Sequence, residues 1–167
     1  MKKKLKIGLD IDDVLANFYG GMCKRFNKPE IKCDIWDGEN ICSWIPKGMK
    51  YIDKKFWNNL KQLQAPSTIN FKVDCYVTSS PKKMLFTRIN WLRKHNYPSA
   101  SVFQAKDKIA ILKAMNIDIF VDDKLSTVQA INDAGMLGLQ FKPSYMSEEY
   151  HDKSKIITHL SEINKFL

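Results

Sequence analysis

Histidine and cysteine are scarce in this chain, and neither is arranged for chemistry. The three histidines, His95, His151 and His159, are too scattered to form a metal cluster or to suggest a catalytic base. Four cysteines stand at 23, 33, 42 and 75, with no C-x-x-C pair and no histidine at zinc-ligand spacing, which excludes a zinc-ribbon reading and favours free thiols in a reducing cytosol. Internal repeats and low-complexity stretches are absent. A long apolar run is missing too. Met1-Lys2-Lys3-Lys4 imitates the basic end of a signal peptide, but Asp10, Asp12 and Asp13 interrupt the apolar segment that would have to follow. The expectation is a cytoplasmic protein without a membrane segment.

What is present is an ordinary globular composition, 44% hydrophobic and 27% charged, which excludes disorder and fibrous repeats. A length of 167 residues fits one domain, able to bury roughly 70% of its unfolded surface. Lysine and arginine total 27 against 18 acids, a net charge of +9. Five of the acids lie in two clusters, Asp10/Asp12/Asp13 and Asp122/Asp123, so 13 acids face 27 bases elsewhere. Such a surface draws in anions, nucleotides and nucleic acid among them. The bases form no long run, which disfavours a dedicated nucleic-acid stripe.

Residues 4–9 alternate and then turn apolar, the pattern of a buried strand that delivers Asp10 to its carboxyl end. Val14, Leu15, Phe18, Met22 and Phe26 recur at helical spacing and predict a helix up to Pro29. Residues 30–70 differ in character: they hold Trp36, Trp44 and Trp57 among turn residues such as Asp37-Gly38, with a short helix expected around 51–63. This segment reads as a small inserted cap. Strands are predicted at 73–77, 101–104, 117–121 and 137–141. Helices are predicted from Ser80-Pro81 onward with Leu85, Ile89 and Leu92 on one face, over 107–115, and over 126–134 before Gly135. Ile156, Leu160, Ile163 and Phe166 predict an amphipathic terminal helix. Strand and helix alternate, which favours an α/β chain with a mainly parallel sheet covered on both faces.

Ligands of open α/β sheets bind beyond the carboxyl ends of strands, and three predicted strands end in polar clusters. In Asp10-Ile11-Asp12-Asp13 the period of two puts Asp10 and Asp12 on the same side. Paired carboxylates hold Mg²⁺ through oxygen, and one can attack phosphorus while its neighbour exchanges a proton. A solvated acidic turn is the bland alternative, disfavoured directly after an apolar strand. Thr78-Ser79-Ser80 offers hydroxyls and, with the helix expected at Pro81, a small anion site, although such residues are most often only caps. Asp122-Asp123 would add carboxylates to the same metal site. Lys106 and Lys108 stand at a predicted helix start, where a cation does not help the helix and a functional use competes evenly with a surface role.

Residues 10–21, Asp10 through Gly21, resemble the opening motif of the haloacid dehalogenase superfamily, and Phe18-Tyr19-Gly20-Gly21 narrows the resemblance to the 5′(3′)-deoxyribonucleotidases. Val77-Thr78-Ser79-Ser80-Pro81, Lys106-Asp107-Lys108 and Phe120-Val121-Asp122-Asp123-Lys124 resemble that family's second, third and fourth motifs, in order, across residues 5–142. The resemblance implies a Rossmann-like core over residues 1–27 and 71–167 and a small helical cap over 28–70. It implies Mg²⁺ held by Asp10, Asp12 through its backbone carbonyl, Asp122 and Asp123. Asp10 becomes the nucleophile and Asp12 the acid and base. Thr78, Ser79, Arg88 and Lys108 become phosphate contacts, with Lys106 competing for the place of Lys108. Phe18 takes the base-stacking position. Trp44, Phe56 and Trp57 are further candidates for the base pocket, Trp57 being equally suited to cap core. Two departures stand out: Asp13 occupies the place of a usual glycine, and Ser80 lengthens the second motif.

The expected activity is dephosphorylation of nucleoside monophosphates, with 5′(3′)-deoxyribonucleotides foremost. Two alternatives are a phosphatase of nucleic-acid ends, suggested by the net charge and short cap, and a non-catalytic nucleotide-binding protein on the same scaffold. Oligomeric state stays open, a homodimer being compatible.

Overall fold

The computed structural model describes residues 4–32, 44–147 and 149–167. The turn expected at Asp37-Gly38, Trp36, Cys33 and Cys42 lie outside them. Six strands form one parallel sheet: β1 (Ile7–Leu9), β2 (Cys75–Thr78), β3 (Ser101–Gln104), β4 (Ile119–Asp122), β5 (Leu137–Phe141) and β6 (Ile156–Ile157), in the order β3-β2-β1-β4-β5-β6. The chain winds outward from β1 to β3, returns to the other side of β1, and continues to β6. That reversal opens a crevice at the carboxyl ends of β1 and β4, where doubly wound sheets bind ligands.

The helices are α1 (Phe18–Arg25), α2 (Trp44–Gly48), α3 (Lys54–Asn58), α4 (Leu85–Lys94), α5 (Ile109–Ala114) and α6 (Leu125–Asp133). Strand alternation divides the core in two. Leu9, Tyr76, Ile119 and Val121 join one apolar cluster with Trp91, Leu92, Trp57 and Leu160. Cys75, Val77 and Phe120 join another with Leu112 and Ile131. The sheet therefore carries helices on both faces, as alternation predicts. β1 has room for only one residue type at its centre: a Cβ on Gly8 would stand 2.8 Å from the Phe120 ring.

Several predicted elements shift. The first helix begins at Phe18, because residues 12–16 form a tight turn in which Asp13 adopts φ 59° and Asp13 N–H donates to Ala16 O at 2.7 Å. Asn17 caps α1 by accepting from Gly20 N–H. The segment expected to hold a helix over 51–63 instead carries α2, a 3-10 turn at Met49–Tyr51, and the short α3 capped by Asp53. Ser80 does not cap α4: a 3-10 turn at Lys82–Met84 intervenes. The buried face of α4 is Thr87, Arg88, Trp91 and Leu92, while Leu85 and Ile89 are half-buried.

The terminal segment is also not an α-helix. Ile156 and Ile157 pair with Gln140 and Phe141 as edge strand β6, and Leu160–Phe166 is 3-10 helix. Leu160, Ile163 and Phe166 stand three apart, the repeat of a three-residue turn rather than a 3.6-residue one. No helix among the described residues is long and apolar enough to cross a membrane. Cys23 and Cys75 are free and buried.

Candidate active site

The extended backbone of β1 carries Asp10 into the crevice, where its N–H donates to Val121 O of β4 at 2.9 Å. β4 ends at Asp122, and Asp123 follows. One carboxylate oxygen from each of Asp10, Asp122 and Asp123 lies within 4.8 Å of the others, and all three residues are buried. The sequence-derived acidic clusters thus converge. Lys108, in the turn before α5, is buried between them with Nζ 2.9 Å from Asp10 Oδ1 and 2.6 Å from Asp122 Oδ2. Lys106 is exposed, so the buried cation of this motif is Lys108.

Both donors to Asp10, Ile11 N–H and Lys108, use Oδ1, which leaves Oδ2 without a hydrogen-bond donor among the described residues. Burial pushes the Asp10 carboxyl well above the usual carboxylate range; Lys108 opposes the rise, and Asp122, Asp123 and Asp12 add to it. Burial would lower the Lys108 ammonium, but Asp10 and Asp122 outweigh it and hold the lysine charged. One buried ammonium faces three buried carboxylates. An all-oxygen donor set with surplus negative charge suits a hard divalent cation.

Asp12 is held differently. Thr78 Oγ1 donates to its Oδ2 at 2.9 Å, and Arg88 Nη2 lies 2.7 Å from its Oδ1. Thr78 Oγ1 in turn accepts from Ser80 N–H at 3.0 Å. The hydroxyl and guanidinium expected on phosphate therefore both engage Asp12, and neither Thr78 nor Arg88 lines the cavity beside it. Serines 79 and 80 both line that cavity. Ser79 Oγ donates to Ala105 O at 3.2 Å, whereas Ser80 Oγ is buried without a hydrogen-bond partner among the described residues. The lengthened second motif thus brings a free hydroxyl to the site, which its sequence position alone did not reveal.

The cavity measures about 140 Å³. Phe18 and Trp57 form its apolar wall, stacked at 5.3 Å between ring centroids and 20° between planes. Met49, Lys124 and Thr127 also line it and were not singled out from sequence. Lys124 adjoins the acidic pair and could have been noticed; Met49 gives no sequence signal. Two expected wall residues stand elsewhere. Phe56 packs edge-on against Phe18 and Trp57 behind the wall, and Trp44 packs on Phe26, 5.7 Å between centroids. Neither lines the cavity.

Asp13 turns away from it. Tyr19 N–H donates to Asp13 Oδ1 at 2.9 Å, and the buried Tyr145 hydroxyl faces the same carboxyl and acts with Tyr19 against the effect of burial. Burial pushes this carboxyl up to about 7.

No protein-family model and no curated protein sequence matches the chain. Solved structures do. The chain is similar to a putative beta-phosphoglucomutase from Thermotoga maritima, with 17% identity, TM-score 0.57 and 98% of each chain covered. It is also similar to a haloacid dehalogenase-like protein of unknown function from Agrobacterium tumefaciens, with 11% identity, TM-score 0.65, and 98% and 97% covered. A haloacid dehalogenase-like family hydrolase from Xanthomonas campestris matches at 13% identity and TM-score 0.53, with 94% and 91% covered. The chain has the haloacid dehalogenase-like α/β fold.

Proposed function

We propose that this protein is a Mg²⁺-dependent phosphomonoesterase that dephosphorylates nucleoside monophosphates, 5′(3′)-deoxyribonucleotides in particular, through an aspartyl-phosphate on Asp10. The observation that carries the reading is the convergence of Asp10, Lys108, Asp122 and Asp123 at one strand crevice, with Asp12 beside them on the cavity. Residues 28–70 are read as a small cap, a reading supported by Met49 and Trp57, which line the cavity together with the carboxylates.

Asp10, Asp122, Asp123 and the backbone carbonyl of Asp12 would hold Mg²⁺. Bound there, the cation supplies positive charge that offsets the surplus of buried carboxylate and polarises the phosphoryl oxygens. In the first step an Asp10 carboxylate oxygen forms a bond to phosphorus, the ester P–O bond breaks, and the departing nucleoside oxygen takes a proton from Asp12. In the second, Asp12 takes a proton from water as the water oxygen bonds to phosphorus. The Asp10–phosphorus bond breaks, releasing inorganic phosphate and restoring both aspartates. Lys108 stabilises charge on the transferring group, and the unpartnered Ser80 hydroxyl is available to a phosphoryl oxygen. Phe18 and Trp57 meet the nucleoside. The free buried thiols accord with a cytoplasmic location.

The test is phosphate release from deoxy- and ribonucleoside monophosphates and 3′-phosphorylated oligonucleotides, with Mg²⁺ or chelator, beside Asp10→Asn. Metal-dependent turnover of mononucleotides that the variant loses is expected. Preference for oligonucleotides with a steep salt dependence would transfer the reading to nucleic-acid ends, and silence across the panel would reject it. Thermal melting gives a readout apart from turnover: Mg²⁺ should raise the melting temperature of the wild type and not that of Asp123→Asn.

A further inference from the structure

We propose that Arg88 is a positioning residue, gripping Asp12 from behind the cavity and tying that proton-transferring carboxylate to Trp57, the aromatic wall that faces the substrate. The proposal rests on the phosphomonoesterase reading and assigns Arg88 a task other than the phosphate contact suggested by resemblance.

Arg88 is fully buried and does not line the cavity. Its Nη2 lies 2.7 Å from Asp12 Oδ1, and Nη1 donates to Trp57 O at 3.2 Å. The guanidinium carbon lies 5.3 Å from the Trp57 ring centroid and 5.1 Å from that of Trp91. Trp91 is itself anchored, its Nε1–H donating to Leu60 O at 2.9 Å. Two indoles and two oxygen acceptors therefore fix one planar cation. Arginine suits this place because its rigid fork can serve two acceptors while its faces stack on aromatics; a lysine ammonium offers a point charge without that plane.

The consequence falls on Asp12. With Arg88 on Oδ1 and Thr78 on Oδ2, the carboxylate has one orientation, yet each oxygen keeps a second lone pair. Asp12 lines the cavity and Arg88 does not, so substrate reaches the carboxylate without meeting the guanidinium. Trp57 lies on the cavity with Phe18 and shares the same arginine. Seating a nucleoside against that wall therefore bears on the group that must protonate its departing oxygen.

The distinguishing property is leaving-group dependence. A nucleoside hydroxyl departs poorly and needs the proton from a well-placed acid; p-nitrophenolate departs without one. General acid catalysis is worth about 10²–10⁴-fold. The experiment measures single-turnover phosphorylation of Asp10 by deoxynucleoside 5′-monophosphate and by p-nitrophenyl phosphate in wild type, Arg88→Lys and Arg88→Met, with circular dichroism to establish the folded fraction. The expected result is a loss on the order of 10²-fold with the nucleotide and less than about 5-fold with p-nitrophenyl phosphate. Arg88→Lys should lie between wild type and Arg88→Met. Equal losses on both substrates, or a KM raised equally on both as removal of a phosphate contact would do, overturn the proposal. If Arg88→Met does not fold, the two rates in Arg88→Lys decide alone. Wild-type silence on both substrates is a separate outcome: it removes the phosphomonoesterase reading, and the positioning role with it.

Discussion

Lys108 Nζ sits 2.9 Å from Asp10 Oδ1 with its side chain almost wholly buried, so the cation nearest the proposed nucleophile is out of solvent. The same ammonium bridges to Asp122 on the neighbouring strand end. Removing it would take away the ammonium that bridges the buried Asp10 and Asp122 carboxylates, a more severe change than loss of a surface lysine. Lys108→Met is expected to lower kcat on nucleoside monophosphates about 10²–10³-fold, the range for deleting one preorganised stabilising group. It should also lower the melting temperature most in chelator, where no divalent cation offsets the carboxylates. Lys106→Met, at an exposed position two residues away, should change neither quantity. Steady-state kinetics and melts with and without Mg²⁺ on the two variants check this.

Asp13 yields a prediction about stability rather than rate. Its carboxyl is pushed by burial from an ordinary value of 3.8 to about 7. An acid with a raised folded-state value binds its proton more tightly in the folded chain than in the unfolded one. Its contribution therefore favours folding at low pH and is lost as pH rises from about 4 to about 7. Above that window the cost is constant, on the order of a few kcal/mol. Asp13→Asn removes the ionisation, can keep an oxygen for Tyr19 N–H, and suits the φ of 59°. In chelator the variant should melt higher than wild type at pH 8, with the difference shrinking steadily toward pH 4. A difference independent of pH would show that packing, not ionisation, governs the site.

The acidic centre was legible because it depends on local pattern. Apolar strands ending in aspartates mark Asp10, Asp12, Asp122 and Asp123 whatever the rest of the chain does, and the alternation of strands and helices gives the sheet. Arg88 was visible only as a residue. Spacing alone turns Leu85, Ile89 and Leu92 inward, but a partner 76 residues away, Asp12, draws the guanidinium into the core and rotates the buried face of α4 toward Thr87, Arg88 and Trp91. The terminal segment misled for a different reason: apolar residues three apart satisfy either helix type, and the edge pairing of Ile156 and Ile157 with β5 leaves only a short 3-10 run afterwards. Trp44 and Phe56 stand near the site in sequence, and only side-chain packing separates a wall from what supports it.

The two serines that follow Thr78 give the last prediction. By resemblance Ser79 takes the phosphate contact, yet its hydroxyl already donates to Ala105 O, while that of Ser80 is buried beside the cavity and unpartnered. A buried hydroxyl without a partner costs about 1–3 kcal/mol, an expense that a phosphoryl oxygen arriving in the cavity would relieve. Ser80→Ala should therefore leave the free protein as stable as wild type or more so, while raising KM for nucleoside monophosphates about 10–150-fold, the equivalent of one hydrogen bond to a charged group. Ser79→Ala should raise KM less than about 2-fold, since its hydroxyl bonds backbone on the exposed side of the loop. Melting curves and KM values for both variants separate the serines. If Ser79→Ala has the larger effect on KM, the hydroxyl of Ser79, which also lines the cavity, must turn from Ala105 O to the phosphate when substrate binds.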